Sequence, residues 1–110
     1  MFFYDVDKLN PRYTEAEKLD RLLTEASIPH TKERLLDGWQ ISYPVSRQTG
    51  GDKCICDAVQ NFGSYGGKEN LLEIMGLVDE TRGDEVEGYL TADEVFDRIK
   101  EDYDRRRNHE

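Results

Sequence analysis

The alternation of apolar and polar positions divides the chain into short elements. Ala16, Leu19, Leu22, Leu23 and Ala26 recur at three- and four-residue steps, with Glu15, Lys18, Asp20, Arg21 and Glu25 mostly outside that stripe. This is the period of an amphipathic helix. Thr14 and Glu17 have the spacing of a capping box, in which the hydroxyl accepts from the Glu17 N–H and the Glu17 carboxylate reaches back to the cap. Pro29 marks the helix end, because the residue before a proline is pushed towards extended angles. Asp37-Gly38 then reads as a two-residue hairpin turn. The strand after it alternates cleanly, with Trp39, Ile41, Tyr43 and Val45 on one face and Gln40, Ser42 and Pro44 on the other. A turn at Asp37-Gly38 sets Leu36, Arg34 and Lys32 opposite Trp39, Ile41 and Tyr43. Two long cationic stems beside an apolar row suggest an edge strand.

A further strand is expected from about Lys53 to Gln60, with Ile55 and Val59 on one side and Cys54, Cys56 and Ala58 on the other. The glycine-rich stretch Gly63-Ser64-Tyr65-Gly66-Gly67 leads to Leu71–Val78, where Leu71, Leu72, Met75 and Val78 also fit a helical face. Ile74, Val78 and the interior Gly76 favour a central strand there. Asp79 to Glu85 is polar and reads as a loop, and Val86 to Leu90 as a short strand. Thr91 and Glu94 repeat the capping-box spacing, with Leu90 and Val95 placed as a hydrophobic staple. Ala92, Val95, Phe96, Ile99 and Tyr103 form the stripe of a closing helix. Arg105, Arg106 and Arg107 suit its negative C-terminal end, and residues 105–110 read as a frayed basic tail. The elements together predict an α+β domain of order α-β-β-β-β-(β)-α. Its antiparallel sheet of four to five strands is covered on one face by the N-terminal and C-terminal helices.

Composition sharpens this picture. The 110 residues fit a single domain, 1–110, with an ordered core expected over about 4–104. Charged residues make up 35% and the net charge is −9. Sequence-blind attraction to nucleic-acid phosphates or anionic lipid is therefore disfavoured, and direct nucleic-acid binding is not expected. No apolar run approaches the roughly 20 residues of a membrane span, and the Met1-Phe2-Phe3-Tyr4-Asp5 start lacks the pattern of a signal peptide. A cytoplasmic protein with no membrane contact is expected. The acids are concentrated: Asp79 to Asp104 holds eleven acids against three bases, and so −8 of the net −9. Such a field could dock on a basic groove and imitate nucleic-acid phosphates, or simply keep a helix face solvated.

Several constellations invite chemistry. Gly66-Gly67-Lys68 evokes a phosphate loop, but Phe62 stands where the first glycine belongs and Glu69 where a magnesium-holding Ser or Thr would sit. A flexible loop, with Gly63, Ser64, Tyr65, Gly66, Gly67 and Lys68 as a candidate ligand contact, is the reading that survives. Cys54 and Cys56 could offer two thiolates to zinc, but only His30 and His109 could complete a site, short of a second subunit's pair. Small buried thiols are the simpler reading, with His30 an ordinary residue at a strand start. Asp57 and Glu73 fall on neighbouring predicted strands with Lys53 and Lys68 near in sequence. That could suit a metal-dependent phosphodiester hydrolase, but the acidic-x-Lys pair such a site uses is missing after Glu73. No catalytic residue, metal or cofactor is assigned.

The segments Trp39–Pro44, Cys54-Ile55-Cys56, Gly63–Gly67, Leu72–Leu77 and Val86–Phe96 resemble small prophage-associated proteins of gut Firmicutes, over roughly Thr14 to Lys100. Phe2-Phe3-Tyr4 and the arginine-rich tail lie outside the resemblance. It carries no activity with it. It implies a phage or mobile-element setting in a bacterial host cell, where small accessory proteins commonly bind other machinery. The leading expectation is thus a non-catalytic accessory protein acting through an unidentified protein partner, or as a homodimer through a sheet edge or the aromatic row. Its candidate surface is Trp39, Tyr43, Tyr65, Tyr89, Asp93, Asp97 and Glu101. An acidic inhibitor of a host nucleic-acid-binding protein is the first alternative, and the hydrolase the second.

Overall fold

The computed structural model describes residues 14–109 of the chain, with the exception of the side chain of Arg82. The expected start of order near Tyr4 and the reading of Phe2-Phe3-Tyr4 lie outside the described residues. The fold is α+β: helix α1 (Glu15–Glu25), strands β1 (Thr31–Leu35) and β2 (Gly38–Tyr43), a single turn α2 (Arg47–Gly50), strands β3 (Cys56–Gln60), β4 (Leu72–Met75) and β5 (Val86–Leu90), and helix α3 (Ala92–Arg107). The five strands form one antiparallel meander in chain order, so β1 and β5 are its two edges. The ambiguous Leu71–Val78 segment is an interior strand.

Both helices lie on one face of the sheet. Ala16, Leu19 and Leu23 of α1 and Ala92, Val95 and Ile99 of α3 meet Ile41, Tyr43, Cys56, Ala58, Leu72, Ile74 and Leu90. Long-range hydrogen bonds tie the helix starts to this body. Gln60 Oε1 accepts from the Ala16 N–H (2.9 Å), Asn70 Oδ1 from that of Glu15 (3.0 Å), and the Glu15 carboxylate from that of Ala92 (2.7 Å). These groups satisfy donors that a helix cannot satisfy internally.

Two local expectations change. Thr14 caps α1 by accepting from Glu17 N–H (3.2 Å), but the Glu17 carboxylate turns instead to Lys32 Nζ (2.7 Å), a partner from another element. At α3 the full reciprocal box is present. The first hairpin turn is Leu36-Asp37, not Asp37-Gly38, since Leu35 pairs with Gly38 and Leu36 takes φ +58°. Lys32 therefore sits opposite Ile41 and Arg34 opposite Trp39, one pair along from the expected register. Gly38 is needed elsewhere: a methyl group on its Cα would overlap the Gln60 carbonyl of β3. The edge position of β1 and its cationic cover stand. Lys32 Nζ lies 4.3 Å and Arg34 Cζ 4.9 Å from the centre of the Trp39 ring. Val45, beyond the end of β2, is exposed and not in the apolar row. The Lys53–Gln60 strand begins only at Cys56, after a tight turn over Gly51–Lys53.

The C-terminal helix continues through Arg107, past the point where fraying was expected, because its last turns hold a buried charge. Asp102 is 2% exposed. It accepts from Tyr43 Oη (2.7 Å), Arg106 Nε (2.7 Å) and Arg105 Nη2 (3.2 Å). Burial pushes the Asp102 carboxyl up, but the hydrogen bonds from Arg106 and Tyr43 outweigh it and leave it below the usual carboxylate range. A group held below its unfolded value contributes stability above about pH 4, and that contribution is lost as pH falls through the folded value. Asp102→Asn should therefore be less stable than wild type by about 1–2 kcal/mol at pH 7, with the gap narrowing as pH falls below about 4. Urea unfolding of both proteins across that range checks it, and a gap independent of pH would contradict it.

Candidate functional site

The segment between β3 and β4 is locked by its own backbone. Asn61 and Ser64 bond each other in both directions, Oγ to the Asn61 carbonyl (3.0 Å) and the Asn61 N–H to Oγ (3.0 Å). The Gly63 N–H donates to Asn61 Oδ1 (2.9 Å), and the Ser64 and Gly67 N–H groups to Asn61 O and Ser64 O. The Tyr65 N–H donates to Glu73 Oε1 on β4 (2.8 Å). The N–H groups of Gly63, Ser64, Tyr65 and Gly67 are thus engaged within the protein, and the Gly63–Lys68 segment is held as a folded element. Lys68 is exposed.

The product of this folding is an aromatic surface. Tyr65 sits over Gly88 of β5, where any side chain would collide with the Tyr65 Cβ. Gly88 and Tyr89 together face the single residue Glu73, since Leu72 pairs with Leu90 and Ile74 with Glu87. In this bulge Tyr89 adopts φ +61°, and its N–H donates to Tyr65 O (3.2 Å). Phe62, Tyr65 and Tyr89 are 61%, 59% and 57% exposed and share the lining of one hollow of about 240 Å³ with Lys68 and Glu69. Left-handed backbone at a bulky residue costs roughly 1–2 kcal/mol, and with its ring in solvent Tyr89 recovers little of that by packing.

The other members of the expected surface are dispersed. Tyr43 is a correction: it is 2% exposed, and its hydroxyl is consumed by Asp102, so burial pushes its ionisation far up and it belongs to the core. Trp39 is half-buried beneath Lys32 and Arg34, at the wall of a separate cleft of about 510 Å³ that also includes Phe62 and Lys68. Asp93, Asp97 and Glu101 are exposed on α3, as expected, but cations interleave them. Lys18 pairs with Asp93 (2.9 Å), Arg105 with Glu101 (3.5 Å) and Lys100 with Asp104 (2.6 Å). The acidic field of α3 is thereby partly neutralised. Phe62 was legible only as the misfit in a phosphate-loop pattern. Nothing in the sequence marked it as a neighbour of Tyr89.

Asp57 and Glu73 do share a face, the one not covered by α1 and α3, and both line a hollow of about 430 Å³ with Arg47, Val59 and Met75. Asp57 is buried and accepts from Gln40 Nε2 (2.9 Å) and Arg47 Nε (3.0 Å), while Glu73 holds the Tyr65 N–H. Each carboxylate thus has a role in fixing a loop or α2. Cys54 and Cys56 are buried free thiols. Burial is the largest influence on both thiols and pushes both up, which disfavours the nucleophilic thiolate form. His30 spans the Ile28 carbonyl (2.7 Å) and the Asp20 carboxylate (2.8 Å), which fastens the entry of β1 to α1. Among the described residues no three His, Cys, Asp or Glu side chains gather as a metal site would require. No described helix is long and apolar enough to cross a membrane. Comparison of the chain with protein-family models, with curated proteins and with solved structures finds no match.

Proposed function

We propose that the chain is a non-catalytic accessory protein of a phage or mobile element, and that it works by binding another protein through the Phe62–Tyr65–Tyr89 surface. The single observation that carries this is Tyr89: a large aromatic held in left-handed backbone, in a bulge, with its ring in solvent beside two other exposed aromatics. Strain of that kind concentrates where a side chain is aimed at a partner, and exposed tyrosines supply large contact area at little entropic cost. The mobile-element setting comes from the resemblance of residues 14–100 to prophage-associated proteins.

The acidic-inhibitor alternative has less support, because Lys18, Lys100 and Arg105 interrupt the α3 acids. Affinity capture from the bacterial host separates the two readings. The wild-type chain should recover a stoichiometric partner that Tyr65→Ala/Tyr89→Ala loses by about tenfold or more, with its unfolding transition intact, while Asp93→Lys/Asp97→Lys/Glu101→Lys retains it. Loss in the acidic variant alone would move the function to α3. Equal recovery by all three would end the aromatic-surface reading.

A further inference from the structure

The cleft of about 510 Å³ beside the aromatic surface has chemistry of its own. Trp39 and Phe62 give it aromatic walls, and Arg34 and Lys68 give it cations. Two carboxylates also reach it, and both are engaged. Glu17 is paired with Lys32 Nζ (2.7 Å), and Asp37 Oδ1 accepts from the Phe62 N–H (2.9 Å), which holds the backbone at that ring. The two cations of the cleft are not so engaged. Among the described residues the Arg34 guanidinium has only the Trp39 ring as a partner, and the Lys68 ammonium has none. The backbone before Lys68 is packed tightly, since a Cβ at Gly67 would overlap the Asn61 carbonyl. With Lys32 counted, three cations meet two carboxylates here, in a chain whose net charge is −9.

We infer that this cleft binds a free nucleoside monophosphate, with the phosphate on Arg34 and Lys68 and the base on Phe62. The inference goes beyond the proposed partner surface, because Tyr65 and Tyr89 do not line the cleft. A guanidinium takes two phosphate oxygens in its fork, and a lysine adds a point charge. Cations without a carboxylate partner keep that capacity for a ligand. A dianionic phosphate uses both at once, which a single carboxylate would not. The exposed ring of Phe62 offers a flat face on which a nucleobase can stack whatever its identity. The volume also falls within the roughly 300–1,000 Å³ of small-molecule sites. A nucleic-acid strand would bring many phosphates into the field of an acidic chain, whereas a single phosphate meets the local cations. Charge therefore favours the free nucleotide over the strand.

The test titrates the full chain with AMP, adenosine, ribose 5-phosphate and a short single-stranded oligoadenylate, followed by calorimetry and by amide shifts. AMP should bind with a Kd of about 0.1 mM or below, and adenosine and ribose 5-phosphate at least about tenfold more weakly. The shifts should concentrate at residues 34–39 and 61–68. Arg34→Gln and Lys68→Gln should each weaken AMP by about fivefold or more, leave adenosine unchanged and keep the unfolding midpoint near that of wild type. Phe62→Ala should weaken AMP by a similar factor and leave ribose 5-phosphate unchanged. Tyr65→Ala/Tyr89→Ala should bind AMP as wild type does, so the nucleotide site and the partner surface can fail separately. No binding of AMP up to about 5 mM would overturn the inference. Equal binding of AMP and ribose 5-phosphate would reduce the site to an anion contact and overturn it too. Oligoadenylate binding about tenfold tighter than AMP would make the ligand a strand, against the free nucleotide inferred here.

Discussion

Gly38→Ala is expected to remove the cooperative unfolding transition or to lower stability by about 4 kcal/mol or more, a large share of the 5–15 kcal/mol typical of a domain. The β2 backbone at Gly38 runs against the main chain of β3, and an added Cβ would strike the Gln60 carbonyl carbon and oxygen and the Asn61 Cα, none of which can rotate aside. Relief would have to part β2 from β3 at the place where Gln60 also secures the start of α1, so strand pairing and helix docking would fail together. Gly63→Ala is the matched control, because a methyl there meets nothing closer than Asn61 Oδ1 at 3.7 Å, and a change within about 0.5 kcal/mol is expected. Circular dichroism and urea titration of both variants decide the matter. A Gly38→Ala protein as stable as the control would mean that the strands do not approach so closely.

The second large effect concerns the ion pair beneath β5. Glu87 is 7% exposed, and Arg98 grips it with both arms, Nη1 to Oε1 at 2.7 Å and Nη2 to Oε2 at 3.0 Å, while Nη1 also donates to the Leu77 carbonyl (3.1 Å). The pair holds the Arg98 guanidinium above its ordinary range, chiefly through the Glu87 hydrogen bond. Arg98→Ala would leave a carboxylate in a dry site without its guanidinium, and a loss of about 3 kcal/mol is expected, more than an exposed pair could cause. Glu87 also accepts from the Asp79 N–H (2.9 Å), so the 79–85 loop should loosen with it. In Glu87→Met/Arg98→Met, which removes both charges, at least half of that loss should return, because the desolvation burden goes with them. If the double variant is as damaged as the single one, packing of the arginine stem and not the buried charge is what matters. The contrast with Lys18–Asp93, whose side chains are both well exposed, shows why burial and not distance ranks these pairs.

Much of this was readable from local pattern. Helical periodicity with a capping threonine placed α1 and α3, and alternation placed β2. Features that depend on which strands lie side by side were not readable. Asp37-Gly38 looked like a turn because local chemistry rewards glycine there, yet the tertiary demand on Gly38 came from β3. Glu17 was spaced for a local return bond, and a cation from β1 claimed it. Alternation put Tyr43 in the apolar row while its residue type made it a candidate contact, and only the position of Asp102 on α3 gave its hydroxyl a buried acceptor.

The same division applies to the candidate site. Periods of 3.6 and 2 residues, end signals and net charge are properties of neighbouring residues, and they determine the elements, their buried faces and the acidic character of the last third. Phe62, Tyr65 and Tyr89 are separated by up to twenty-seven positions along the chain. Only the meander, the bulge opposite Glu73 and the folded 61–71 segment bring them together. Such an arrangement is fixed by backbone hydrogen bonds across strands and by close approach at Gly88, interactions for which a linear sequence carries no local signature.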